Sequence, residues 1–339
     1  LRALAAPQTF GTFEGQPVLQ ATILSPAGAV ANILNWGAVI RDLKVPLKDG
    51  SLQRVVLGFD DFDSYLTKSP YFGALVGRYA NRISNGQFTL GGKTVELDRN
   101  ENGKQTLHGG SGGVSQKLWR IVDWNASSVT LGIHLPDGDQ GFPGNMDVQC
   151  TYSFVGDATL RVSVEATSDA TTIANFAQHS YFNLDGSSDV RDHDLRIFSE
   201  AYTPVDSDLI PTGEISLVAG TPFDFCKQRK IRSEQGITFD HNFVLSYPLN
   251  SGLRQAALLT GNNGLSMEIH TSEPGLQFYD GAMIPALRGL GGVHYDLHAG
   301  LCLEAQNFPD GPNQLNFPSG LLMPDEIYRQ TTEFRFKAL

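Results

Sequence analysis

Cysteine is scarce in this chain. Only Cys150, Cys226 and Cys302 occur in 339 residues, too few and too far apart for a disulfide framework or a Cys-x-x-Cys metal knuckle. A reducing compartment, the cytoplasm, is the expected home. Also missing is any apolar run near the roughly 18 residues that a membrane-spanning helix needs, because Gly, Pro or charge interrupts each one. Positive charge is in deficit: 25 Lys+Arg stand against 36 Asp+Glu, a net charge of −11. That sign repels phosphate backbones and anionic lipid, so neither nucleic acid nor membrane is an expected partner. No Pro/Ser/Gly-rich linker and no block of like charge divides the sequence, so 1–339 reads as one domain, although length alone admits two. The first residue is Leu rather than Met, and Leu1–Ala6 is compatible with the remnant of a cleaved export signal.

Capped amphipathic helical stripes are absent as well, and a period of two takes their place. Val129, Leu131, Ile133 and Leu135 alternate with polar or small residues, as do Met146, Val148, Cys150, Tyr152 and Phe154. The second run turns through Val-Gly-Asp-Ala into Leu160, Val162, Val164 and Ala166, which predicts an antiparallel hairpin. Phe88 and Leu90 face Val95 and Leu97 across Gly91-Gly92, a second hairpin whose tight turn demands positive φ. Further strands are expected at Val39–Val45, Leu195–Phe198, Phe243–Leu245, Leu265–His270 and Phe334–Phe336. With 36 Gly and 17 Pro between many short strands, the pattern predicts an all-β, mainly antiparallel, large β-sandwich. The loops Asn100–Lys117 and Thr203–Asp224 are the expected carriers of function.

Some chemistry is present only in appearance. Gly109-Gly110-Ser111-Gly112-Gly113 formally fits a nucleophile elbow but lacks the strand-to-helix context that motif requires, and it lacks the Lys-Ser/Thr of a phosphate loop. His294 and His298 have helical zinc spacing among glycines that oppose a helix, so no metal site is expected. His134, on the polar face of a strand, and His193, between Asp192 and Asp194, read as solvated side chains. More promising are Leu107-His108-Gly109-Gly110, the run His179-Ser180-Tyr181-Phe182-Asn183-Leu184, and Leu303-Glu304-Ala305-Gln306, where a carboxylate follows an apolar stretch.

These segments, with Gly-Arg-Tyr-Ala-Asn-Arg-Ile at 77–83, Asp240-His241, Leu-Gln-Phe-Tyr at 276–279, and Cys-Leu-Glu at 302–304 with the Phe-Pro-Asp that follows, resemble the aldose 1-epimerase (galactose mutarotase) family. The matches run in the family's order from Asn35-Trp36-Gly37 to the last strand. The resemblance implies the galactose mutarotase-like supersandwich fold. It also implies interconversion of the α and β anomers of a free aldohexose such as galactose or glucose, with Glu304 as general base, His179 as general acid and His108 in support. Asn81, Arg82, Tyr181, Asp240 and Gln277 fall on sugar-binding positions. The sequence departs from the family's common pattern at Phe239, His298 and Ala305.

The residue types suit that reaction. A pyranose opens when the anomeric hydroxyl loses a proton while the ring oxygen gains one, so a base and an acid must flank one carbon. No cofactor or metal is needed. An acid histidine is expected to be held protonated by Asp240 or Glu304 nearby. The alternatives are an epimerase of hexose 6-phosphates, which needs a basic cluster not evident near the motifs, a sugar-binding sandwich without activity, and a two-carboxylate glycosidase. The preferred sugar and the oligomeric state are not written in the sequence.

Overall fold

A computed structural model describes residues 6–232, 236–245 and 252–338. The Leu1–Ala6 segment lies almost wholly outside them. Among the described residues the single α-helix is Phe62–Thr67, capped by Asp61, whose carboxylate accepts the Ser64 N–H at 2.8 Å. Every paired strand is antiparallel with its neighbour.

The strands form three main sheets. A nine-stranded sheet runs in the spatial order 120–124, 128–135, 146–154, 159–168, 328–338, 265–271, 254–260, 194–197, 229–230. A six-stranded sheet runs Tyr181–Phe182, Leu301–Gln306, Gly275–Tyr279, Asp240–Val244, Ala201–Thr203, Ser216–Leu217. Five strands from the first 54 residues make the third. Both expected hairpins are present: Met146–Phe154 pairs with Thr159–Ser168, and Gln87–Leu90 with Lys93–Glu96. Gly91 and Gly92 take φ of 56° and 76° in the turn between the latter pair.

The last strand is longer than its apolar residues announce, spanning Tyr328–Ala338 rather than Phe334–Phe336. Its first half turns Gln330 and Thr332 into the interior, and the Gln330 amide donates to the Ala305 carbonyl at 2.8 Å. Inward polar groups satisfied by hydrogen bonds hide the alternation on which the reading depends.

The two large sheets share one core. Successive side chains on a strand point to opposite faces, and the Leu301–Gln306 strand divides accordingly. Leu301, Leu303 and Ala305 join Phe243, Leu276 and Phe278 in the core with Val148, Val164, Ile269 and Phe334 of the nine-stranded sheet. Each large apolar side chain so buried contributes about 1.5–3 kcal/mol. Cys302, Glu304 and Gln306 therefore occupy the other face, and all six residues of the strand are buried. A carboxylate buried on a central strand costs free energy unless it is paired, hydrogen-bonded or protonated.

Candidate active site

The registers of the six-stranded sheet bring sequence-distant polar residues into rows. Tyr181 lies opposite Cys302, Cys302 opposite Tyr279, and Tyr279 opposite Asp240. One step along, Glu304 lies opposite Gln277 and Gln277 opposite Asn242. Direct partners in an antiparallel ladder share a face, so the carboxylates Glu304 and Asp240 stand on one floor. Gln277 ties Asp240 to Gln306, its amide donating to Asp240 Oδ1 at 2.6 Å while its carbonyl oxygen accepts from Gln306 at 3.2 Å.

Two shorter pairings build the walls. His179 ends the Ala177–His179 strand, which pairs with Ala74–Val76. Arg82 pairs with Leu107, and the His108 N–H donates to the Asn81 carbonyl at 2.9 Å. The backbone at Asn81 and His108 is left-handed, with φ of 60° and 52°. Gly109 follows with φ of 85°, and a Cβ there would lie 2.0 Å from the Gly77 carbonyl oxygen. The glycine run is thus a turn that aims His108, with no nucleophile elbow around it.

These elements enclose a cavity of about 190 Å³ lined by Tyr71, Asn81, Arg82, Glu101, His108, His179, Tyr181, Asp240, Tyr279, Met283 and Glu304, among others. Of the eight predicted site residues seven line it, and Gln277 acts from behind through Asp240. A larger cavity of about 290 Å³, bounded by Leu57, Asn183, Leu290 and Tyr295, has no such convergence of carboxylate and imidazole.

His179 Nε2 is 3.7 Å from Glu304 Oε2, and both side chains are almost fully buried. That Glu304 oxygen accepts no hydrogen bond from any described residue. Burial, with the charge of Asp240, pushes the Glu304 carboxyl well above its ordinary range against the pull of Arg82. Burial likewise pushes His179 down to about 4. This corrects the expectation of a histidine held protonated by carboxylates: desolvation of the charged imidazolium outweighs the one opposing influence, a hydrogen bond to its own backbone.

His108 differs from His179 in what stands behind it. The Asn81 backbone N–H donates to His108 Nδ1 at 3.1 Å, which requires a lone pair there and leaves the ring proton on Nε2. Burial, His179 and Arg82 all press its pKa well below the ordinary value. His108 is therefore a neutral N–H donor. One ligating atom each of His108, His179 and Glu304 lies within 4.8 Å of the others. The protonated Nε2 of His108 cannot ligate, however, so the trio does not supply three lone pairs to a cation.

Glu101 was not singled out by the sequence. Arg82 Nε and Nη2 donate to its two oxygens at 2.8 and 2.7 Å, and Arg82 Nη1 stands 4.0 Å from Asp240 Oδ2. Burial works against the charge of Arg82, but these carboxylates more than compensate and raise its pKa. Tyr71 was also missed; its ring lies 4.7 Å from that of His108 and 5.6 Å from that of His179. A turn glutamate and a loop tyrosine carry no signal of their own.

Other expectations sort by position. Residues 100–117 bring Glu101 and His108 to the cavity, whereas Thr203–Asp224 lends no side chain to it. His134 is exposed as expected, and the structure pairs it with Asp147. His193 is not solvated: it is fully buried, and its Nε2 accepts the Leu184 N–H at 3.0 Å. Flanking aspartates misled the reading, because their side chains face outward while the ring turns in. Phe239, His298 and Ala305 are buried but do not line the cavity.

The sequence matches the family model for aldose 1-epimerase over residues 20–335. It is 42% identical over 314 residues to galactose mutarotase of Bos taurus, covering 90% of each chain. It is 36% identical over 336 residues to aldose 1-epimerase of Escherichia coli strain K12, covering 96% of this chain and 97% of that one. Among solved structures, an aldose epimerase homologue from C. elegans superposes with a TM-score of 0.89 at 29% identity, covering 95% of this chain and 99% of that one. Galactose 1-epimerase from Lactobacillus acidophilus NCFM superposes with a TM-score of 0.84 at 26% identity, covering 98% of each. With family model, relatives and fold in agreement, this chain belongs to the aldose 1-epimerases, isomerases that interconvert the anomers of an aldose.

Proposed function

We propose that Glu304 and His179 are the proton-transfer pair of this isomerase and that its substrate is a free aldohexose such as galactose or glucose. The observation that carries the assignment is the buried, unpartnered Glu304 oxygen facing His179 Nε2 at 3.7 Å. Perturbed groups of opposite kind, converging in a cavity, are the mark of acid–base chemistry.

The reaction follows from the charges. With the pair as carboxylate and imidazolium, Glu304 takes the proton from the anomeric hydroxyl, the bond from C1 to the ring oxygen breaks, and His179 protonates that oxygen. The pair ends as carboxylic acid and neutral imidazole, holding the same single proton. Rotation about C1–C2 presents the other carbonyl face, and the protons return. Burial disfavours both ionised forms, raising Glu304 and lowering His179. It therefore favours the neutral pair at rest, and the ion pair that begins ring opening is the less populated form, reached by moving that one proton from Glu304 to His179.

The remaining residues hold the ring. His108, fixed as an N–H donor, stabilises oxygen as negative charge develops on it. Arg82 donates from a planar fork held by Glu101, Asp240 accepts from sugar hydroxyls, and Asn81 and Tyr181 complete the wall. One domain suffices, since residues 71–108 and 179–304 line the same cavity. Three carboxylates against one guanidinium line the cavity, which favours a neutral sugar over a hexose 6-phosphate. Three unpaired cysteines fit a reducing cytoplasm.

Polarimetry of freshly dissolved α-D-galactose and α-D-glucose tests the reading. The protein should speed relaxation of optical rotation. Glu304→Gln and His179→Asn should each lose roughly 10²–10⁴-fold in kcat, the usual worth of one positioned proton-transfer group. Full activity in either variant would remove that residue from the mechanism.

A further inference from the structure

Behind His179, on the side away from the sugar, lies a group the reaction scheme has not used. Cys302 Sγ is 3.5 Å from His179 Nδ1, deep in the protein. The thiol does not line the cavity and forms no disulfide. We propose that Cys302 is a positioning residue whose two-way hydrogen bond lets His179 change protonation state, in contrast to the one-way bond that fixes His108.

The chemistry of the two partners carries the distinction. A backbone N–H can only donate, so His108 keeps its Nδ1 lone pair and cannot become an imidazolium without losing that bond. A thiol is both a weak donor and a weak acceptor. When His179 is neutral with its proton on Nε2, the S–H turns toward Nδ1 and donates. When His179 is an imidazolium, or neutral with its proton on Nδ1, that proton points at sulfur and the S–H turns away. Neither state strands a buried ring nitrogen, which would otherwise carry the cost of an unsatisfied polar group.

The sulfur is also neutral. Burial first, then the charges of Glu304 and Asp240, push the Cys302 thiol well above its ordinary range, so it stays protonated beside the pair. A carboxylate in its place would hold His179 as imidazolium and blunt it as an acid. The register fixes the placement: Cys302 lies directly opposite Tyr181, whose ring stacks on His179 at 5.2 Å and 27°. Thiol and tyrosine thus grip the imidazole along its edge and over its face.

The proposal rests on His179 as a proton-transfer group, and His179→Asn is run alongside. Cys302→Ala should lower kcat roughly tenfold, about the worth of one hydrogen bond lost at a buried ring nitrogen, with KM within twofold because the thiol does not line the sugar cavity. Cys302→Ser, whose hydroxyl also donates and accepts, should recover most of the loss. Nitrogen-15 spectra of histidine-labelled protein should show the His179 tautomer balance moved in the alanine variant and restored by serine, with His108 unmoved in both. Equal kcat and tautomer balance in folded alanine variant and wild type overturns the proposal, as does a serine variant no better than alanine. If His179→Asn is fully active, the fault lies in the assignment of His179 itself. Should the alanine variant fail to fold, the serine variant decides: an active protein with the wild-type His179 tautomer balance supports the two-way bond, and an inactive folded one refutes it.

Discussion

Glu101→Gln probes the part of the cavity that the sequence concealed. Arg82 is held by two charge-assisted hydrogen bonds of 2.8 and 2.7 Å to Glu101, with Asp240 waiting at 4.0 Å. Hydrogen bonds to charged groups contribute about 1.5–3 kcal/mol each in buried settings. The Glu101 side chain is 21% exposed, so water and screening reduce the pair together to about 1–2 kcal/mol. The freed guanidinium has a second carboxylate within reach, and turning onto Asp240 would make it compete with a sugar hydroxyl. Both effects act on binding before any proton moves. At about 1.4 kcal/mol per tenfold, KM should rise roughly five- to thirtyfold while kcat changes less than about threefold. The assay is initial-rate polarimetry over a range of sugar concentrations, with a thermal melt to confirm folding. Arg82→Lys cannot make the forked contact, so combining it with Glu101→Gln should cost little beyond either change alone. A KM within twofold of wild type, or fully additive losses in the double variant, would refute the coupling.

Three further outcomes follow from the same geometry. Gly109→Ala places a Cβ 2.0 Å from the Gly77 carbonyl at a φ of 85°, so it should destabilise the protein by more than about 2 kcal/mol and displace His108, read as a lower Tm and reduced kcat; an unchanged melt would show that the turn yields freely. Burial raises the Glu273 carboxyl to about 8, so its stabilising contribution is present below the unfolded value near 4.5 and is lost as pH rises through 8. Glu273→Gln should accordingly flatten the fall in Tm between pH 6 and 9, and a parallel decline in both proteins would count against a buried acid there. Glucose 6-phosphate should relax at least about tenfold more slowly than glucose at equal protein concentration, because a cavity with three carboxylates repels the phosphate; equal rates would contradict that charge balance.

The strands were legible because half-buried antiparallel sheets write themselves as alternation, as in Met146–Phe154 and Thr159–Ser168. They were not legible where interior polar residues broke the pattern, as at Gln330 and Thr332. Glu304, His179 and His108 could be proposed because their neighbouring residues resemble those of a known family. Glu101 and Tyr71 could not, since neither stands in a matching motif. His193 was misread because flanking charge in sequence says little about which way a ring turns in three dimensions.

By itself the sequence determined the class of chain: short alternating strands, no membrane-spanning helix, an acidic surface, and the residue types needed to move protons on a sugar. Only the tertiary structure decided how those groups behave. Cross-strand register set Glu304 beside Gln277 and Cys302 beside Tyr181. The pairing of Arg82 with Leu107 delivered His108 to Asn81. The protonation of a side chain depends on its surroundings in space, so the same residue type became an N–H donor at His108, the neighbour of a buried carboxyl at His179 and a buried acceptor at His193.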